Sequence, residues 1–220
     1  ATLEGAIDQL PVSTSRPAAW SYGEAGWSVD MRLAAFGGQV NAGVKSGVDG
    51  ASANLDLASV ELRALSRLAR ISPIDGSVTG QASFSNTAAG ATGDLNLGIS
   101  GANPVGVTSD PVMVSFTGRL REGALTGLAT GAGQGFRLEA GSRVKMIVGE
   151  GFDMTPDRVA PLEAQLTLNG RAEQMWALFG PEDQALRGAI NADVRVAGDL
   201  TVGQARISIE QPASDRKSVV

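Results

Sequence analysis

The chain has 220 residues and a formal net charge of −5; 29 residues are glycine, 43% are hydrophobic and only 5% are aromatic. It contains no histidine and no cysteine, which excludes disulfides, Ser–His and Cys–His dyads, thiol redox chemistry and His/Cys zinc sites. An acidic chain with a pI near 4.8 and no Lys/Arg cluster is a poor match for nucleic acid or for anionic headgroups held by charge, and no run of 18 apolar residues suggests a membrane span.

In chain order, Pro11 to Pro17 reads as a loop, and alternation begins at Trp27, Val29, Met31 and Leu33, with Ser28, Asp30 and Arg32 between them. After a turn at Gly37-Gly38 come Val40, Ala42 and Val44, then Ala51, Ala53, Leu55 and Leu57. Ser59 to Ala69 breaks the period. Val60, Ala64, Leu65 and Leu68 fall on one helical face, and Ser59 is placed to act as N-cap. A glycine-led strand follows with Val78, Ala82 and Phe84, then strands with Leu95, Leu97 and Ile99, and with Val112, Val114 and Phe116. A long run carries Phe136, Leu138, Ala140, Val144, Met146 and Val148, and Gly151 to Pro161 reads as the loop after it. Leu162, Ala164, Leu166 and Leu168 continue the alternation.

Asn169 to Phe179 predicts a second short helix grouping Met175, Trp176, Leu178 and Phe179, stopped by Gly180-Pro181. Leu186, Ile190, Ala192, Val194 and Val196 form the next strand, Ala205, Ile207 and Ile209 the last, and Gln211 to Val220 a polar tail. Successive side chains on a strand point to opposite faces, so each segment has one apolar and one wet face. That is the signature of an antiparallel meander. Strands of a buried parallel sheet read as continuous apolar runs instead. The layout of strands, short helix and strands recurs about 110 residues apart, giving weak repeat units near 51–100 and 162–210 within a single elongated domain over 1–220.

Catalytic motifs are not apparent. Gly131 to Gly135 (GAGQG) resembles a phosphate loop only superficially, because a strand and not a helix follows it; the sequence predicts a hairpin turn there. Glu150, Asp153 and Asp157 lack calcium-loop spacing and read as a solvated acidic loop. Glu182-Asp183 sits at a turn with no pocket around it, and no Ser or Thr has a candidate base. The expectation is a non-enzymatic protein that needs no cofactor and no metal.

Two stretches carry a family resemblance. LNGRAEQMWALFGPEDQALRGAINADVRVAGDL (Leu168 to Leu200) is similar to the DUF490-type region of the TamB family, the inner-membrane subunit of the translocation and assembly module, itself related to AsmA-like bridge proteins. The similarity is a strand, a short helix with a Trp-Ala-Leu centre, a proline-containing turn, and a glycine-spaced lead into the next strand. LASVELRALSRLARISPIDGSVTGQASF (Leu57 to Phe84) has the same layout, and the rest of the chain matches in style alone.

The resemblance implies an all-β fold in which a long antiparallel curved sheet forms an open half-pipe, a β-taco, with an apolar concave face and one or two short helices. It implies a segment of a longer periplasmic protein of a Gram-negative bacterium, anchored in the inner membrane elsewhere in the chain. An Omp85-family outer-membrane partner would bind through another part of the chain. The implied work is to carry phospholipid, or to assist outer-membrane protein assembly. Phospholipid acyl chains would lie against Val29, Met31, Leu55, Leu57, Val78, Phe84, Leu95, Leu97, Ile99, Val112, Val114, Phe116, Phe136, Leu138, Val144, Met146, Val148, Leu162, Leu166, Leu168, Ile190, Val194, Val196, Ile207 and Ile209.

Alternation by itself also fits a closed sandwich or barrel. The scarcity of bulky residues to fill such a core, together with the resemblance, favours a trough. Trp176 and Phe179 are then expected to dock the second helix, and Trp20 and Trp27 to cap an open edge. Open edges also invite edge-to-edge pairing between copies. The rival reading is a structural or adhesive β-repeat module without a lipid role. Such a solenoid should repeat at a fixed rung of about 20 to 30 residues, whereas the spacing here is irregular.

Overall fold

The structure is a computed structural model that describes residues 2, 4–7, 10–70, 73–104, 111–133, 135–171 and 188–199. Within them the chain builds β1 (Glu4–Ile7), β2 (Leu10–Thr14), β3 (Ala19–Gly23), β4 (Gly26–Ala35), β5 (Gly38–Gly47) and β6 (Gly50–Glu61). Helix α1 (Leu62–Ala69) follows, then β7 (Ile74–Thr87), β8 (Gly90–Pro104), β9 (Val112–Arg121), β10 (Ala124–Gly133) and β11 (Phe136–Val148). The last elements are β12 (Met154–Pro156), β13 (Pro161–Arg171) and β14 (Ala189–Asp199). All the described strands belong to one 14-stranded antiparallel sheet that follows chain order and, among the described residues, does not close on itself. β3 lies beside β4 off the main path, and β12 beside the end of β11.

Short hairpins make this topology. At Phe36-Gly37 and Glu122-Gly123 both turn residues have positive φ (56° and 74°, 52° and 68°), the signature of the type I′ turn that matches the twist of the flanking strands. Because the strands are consecutive hairpins, connections alternate between the two ends of the strands. One end, the tip side, carries the turns at Glu24-Ala25, Val48-Asp49, Ala88-Ala89, Glu122-Gly123 and 149–153. The other end, the helix side, carries Phe36-Gly37 and α1.

Alternation located most strands but misplaced several boundaries. Leu10–Thr14 is a strand and not a loop: Pro11 lies opposite Ala6 in a short edge ladder, next to the strand start, where a missing N–H is tolerated. The helix starts at Leu62 and not at Ser59, because Val60 and Glu61 still pair with Val78 and Ser77. Ser59 sits at φ 54° in the bulge between Leu57 and Val60, and so caps nothing. Glu61 takes the N-cap position without a side-chain bond, and Arg70 ends the helix in the left-handed region, its N–H reaching the Arg67 carbonyl at 3.0 Å.

Asn169 to Arg171 continue β13, pairing opposite Arg137 and Phe136 and bonding Gly135, in place of the expected helix start. The remainder of that helix, with Trp176 and Phe179, and the final strand with Ile207 and Ile209 lie outside the described residues, as does Leu186. Strands β1, β3 and β10 were not anticipated, and β12 falls inside the expected loop 151–161.

The core is thin. Among the described residues the buried apolar side chains are Val12, Ala35, Ala51, Val60, Ala64, Val78, Ala91, Leu120 and Ala160, most of them alanine. Strands make their main contacts with ladder neighbours, and α1 lies against β6 and β7; no second layer of sheet packs on the first among the described residues.

Candidate functional site

Residues opposite each other in an antiparallel ladder point to the same side of the sheet. The observed register can therefore be followed from strand to strand. One row runs Met31, Ala42, Leu55, Ala82, Leu95, Gly118, Gly127, Ser142, Ala164 and Val196. Beside it on the same side runs Leu33, Val40, Leu57, Gly80, Leu97, Phe116, Ala129, Ala140, Leu166 and Val194. Towards the helix side lie Val60, Val78, Ile99, Val114, Gly131, Leu138, Leu168 and Ala192. Towards the tip side lie Val29, Val44, Ala53, Phe84, Gly93, Leu120, Leu125 and Val144.

The remaining proposed liners fall on this side too. Val112 lies opposite Ala102, Phe136 opposite Gly170 and thence Ile190, Leu162 opposite Gly198, and Val148 opposite Met154, with Met146 two residues before it. The register thus brings all the sequence-predicted liners except Ile207 and Ile209, which are not described, onto one side of one sheet. The first two rows cross ten strands, about 43 Å at 4.7–4.9 Å per step.

These side chains are mostly half-buried, and Phe116 and Leu125 are 37% and 40% exposed. The rows are lowest where they cross β9 to β11. Gly118, Gly127, Ala129, Gly131, Ala140 and Ser142 leave little above the backbone there. One cavity of about 340 Å³ lies over this reach, walled by Ala82, Phe84, Leu95, Leu120, Leu125, Val144 and Met154. A second of about 330 Å³ adjoins it along Phe116, Ala129, Ala140, Leu166, Val194 and Val196.

The opposite side is mostly polar, although the exposed Met113, Leu128 and Ile147 also lie on it. Ser21 and Ser28 hydroxyls meet at 2.7 Å, Ser77 and Ser100 at 3.1 Å, and Ser115 and Thr130 at 2.6 Å, each pair bridging neighbouring strands. Arg121 donates through Nη2 to both Asp94 carboxylate oxygens at 3.0 and 2.8 Å, and Arg119 stands 3.6 Å from the same group. The hydrogen bond from Arg121, reinforced by both guanidinium charges, holds the Asp94 carboxyl below the usual carboxylate range.

Sequence reasoning expected Trp20 and Trp27 to cap an open edge, but it missed the strand and the Tyr22 that join them on the apolar side, and it missed the β11–β12 tip. Trp20 and Tyr22 of β3 lie opposite Val29 and Trp27 of β4, so three aromatic rings gather on this side beside β3, whose outer edge is unpaired in the described sheet. Trp20 is 72% exposed. The tip of the β11–β12 hairpin also reaches β7: the Phe152 ring lies 5.8 Å from that of Phe84, and Asn86 Nδ2 donates to the Gly149 and Gly151 carbonyls at 2.9 Å each. The signal for the tip was an aromatic residue and a methionine, Phe152 and Met154, inside a Gly/Asp-rich loop.

Glu150, Asp153 and Asp157 build turns instead of converging. Gly149 N–H donates to the Asp153 carbonyl, Asp153 N–H to Glu150, and the Asp157 carboxylate receives Val159 N–H and faces Lys145 at 3.9 Å. No group of three or more His, Cys, Asp or Glu side chains able to hold a metal occurs among the described residues, and no described helix is long and apolar enough to cross a membrane. No protein-family profile, curated protein or solved structure matches this chain.

Proposed function

We propose that this chain is a segment of a TamB-type bridge protein whose sheet is a half-pipe, with the apolar rows on its inner face holding phospholipid acyl chains between the two membranes of a Gram-negative envelope. The single observation that carries this reading is the register. Irregular strand lengths and two bulges still leave every row apolar or small, two of them unbroken from β4 to β14, and no second layer covers the rows among the described residues. A closed sandwich needs a facing layer. A solenoid needs equal rungs, and this sheet is built of consecutive antiparallel hairpins of unequal length. Support for the curvature comes from the contact between Asn86 on β7 and Gly149 at the end of β11. Those strands are four ladder steps apart, roughly 19 Å on a flat sheet.

The chemistry is transfer from water. Each buried CH₂ contributes about 0.8 kcal/mol, so a chain lying on Leu, Val and Ala side chains is retained while its headgroup stays wet at the strand ends. The rows lack polar side chains apart from Ser142. Successive positions along them therefore differ little in energy, and a chain can advance without a fuel-consuming step in the groove. The resemblance of Leu168 to Leu200 supports the periplasmic setting and an Omp85-type partner bound elsewhere in the longer protein. The test is extraction of the purified protein and mass spectrometry of what it carries. Co-purified phospholipid at a fixed ratio is the expected result, and protein that stays lipid-free after incubation with phospholipid vesicles would overturn the reading.

A further inference from the structure

The β11–β12 tip does more than turn the chain. Asn86 and Phe84 both point to the apolar side of β7, because Asn86 lies opposite Ala51 and Ala91, and Phe84 opposite Ala53 and Gly93. The tip lies against these two side chains, and Met154, just after it, walls the 340 Å³ cavity. Ala51, Ala91 and Leu120, three of the few buried apolar residues, sit on this side near the tip end of the strands. The segment from Gly149 to Met154 thus spans from β11 to β7 across the apolar side of the intervening strands.

We propose that this segment is a clasp: it turns one reach of an otherwise open face into a covered passage and sets how fast a hydrocarbon chain leaves it. The inference rests on the lipid-groove reading and adds its regulation. The fastening is small and reversible. It consists of one aromatic pair and two neutral hydrogen bonds from a single amide, on a tip whose Phe152 is 41% exposed. Such contacts are individually worth enough to bias a hairpin tip and too little to lock it. Opening needs only the tip to lift, because β11 remains paired with β10 and β13 over its earlier residues.

The experiment loads the purified chain from phosphatidylcholine vesicles containing a phospholipid with a pyrene-labelled acyl chain. Release to excess unlabelled vesicles is then followed by stopped flow for the unaltered chain and for Asn86→Ala, Phe152→Ala and Phe152→Trp. Asn86→Ala and Phe152→Ala are expected to release about tenfold faster at unchanged uptake, the size set by losing two neutral hydrogen bonds or one aromatic pair, while Phe152→Trp stays slow. Asn86 and Phe152 stand on opposite partners of the fastening, so one variant still decides the matter if the other misfolds. Normal uptake with unchanged release in both alanine variants overturns the clasp and leaves the groove standing. No uptake by the unaltered chain overturns the groove reading itself.

Discussion

Replacing Gly131 with valine separates an open apolar face from a filled interior. Gly131 is buried near the end of β10, opposite Val114 and Leu138, and does not adopt a positive φ. A Cβ added there would stand 3.6 Å from Leu138 Cβ and Cδ2 and 3.9 Å from Val114 Cγ2, ordinary contact distances. Relief of glycine's backbone entropy contributes about 0.5–1 kcal/mol, and the strand preference of a β-branched residue contributes up to about 1 kcal/mol more. Gly131→Val should therefore stabilise the fold by about 0.5–2 kcal/mol, raising Tm by roughly 1–8 °C for a chain of this size. In a solid interior the same two methyl groups would overpack and cost about 1–3 kcal/mol. Thermal unfolding followed by circular dichroism, checked by urea titration with an unchanged m value, measures the difference. A fall in Tm of several degrees would refute the open-face reasoning.

Val60 is 1% exposed and anchors the end of β6 where α1 begins; Val60→Ala should cost about 2 kcal/mol by urea unfolding, from two lost methyl groups and the gap they leave. An effect below about 0.5 kcal/mol would mean that the helix-side contacts do not hold the sheet. Asp94 should titrate below the ordinary aspartate value in an NMR pH series, and Arg121→Gln should return it toward that value. Because its folded pKa is depressed, its stabilising contribution is present above the ordinary aspartate pKa and is lost as pH falls through the lowered one. A titration of Asp94 at the ordinary aspartate value would show that the Arg121 pair does not persist in solution.

The strands with large alternating residues were legible in the sequence, because Leu95, Leu97 and Ile99 or Leu162 to Leu168 leave only one face to bury. β10 was not, since on its apolar side only Leu125 is large and the rest are Gly127, Ala129, Gly131 and Gly133. Those small residues shape the low floor of the rows, so the feature most relevant to a groove is the one periodicity weighs least. The helix start was misread for a different reason: Val60 suits either element, and cross-strand pairing with Val78 decided between them. Which rows align across strands is fixed by turn lengths and bulges, as at Leu57 to Val60, and a face-by-face alternation says nothing about that. The contacts of Phe152 with Phe84 and of Asn86 with Gly149 and Gly151, the latter two 63 and 65 positions apart, had no local signature.

The most direct measurement is face-resolved photocrosslinking from the purified chain to phospholipid. A photoreactive residue is placed singly at Leu97, Val114 or Leu166, and at their neighbours Asn96, Ser115 and Thr167, which point to the other side. The account predicts lipid adducts from the first three positions and none from the second three. Equal labelling on both sides, or labelling on neither, would contradict it.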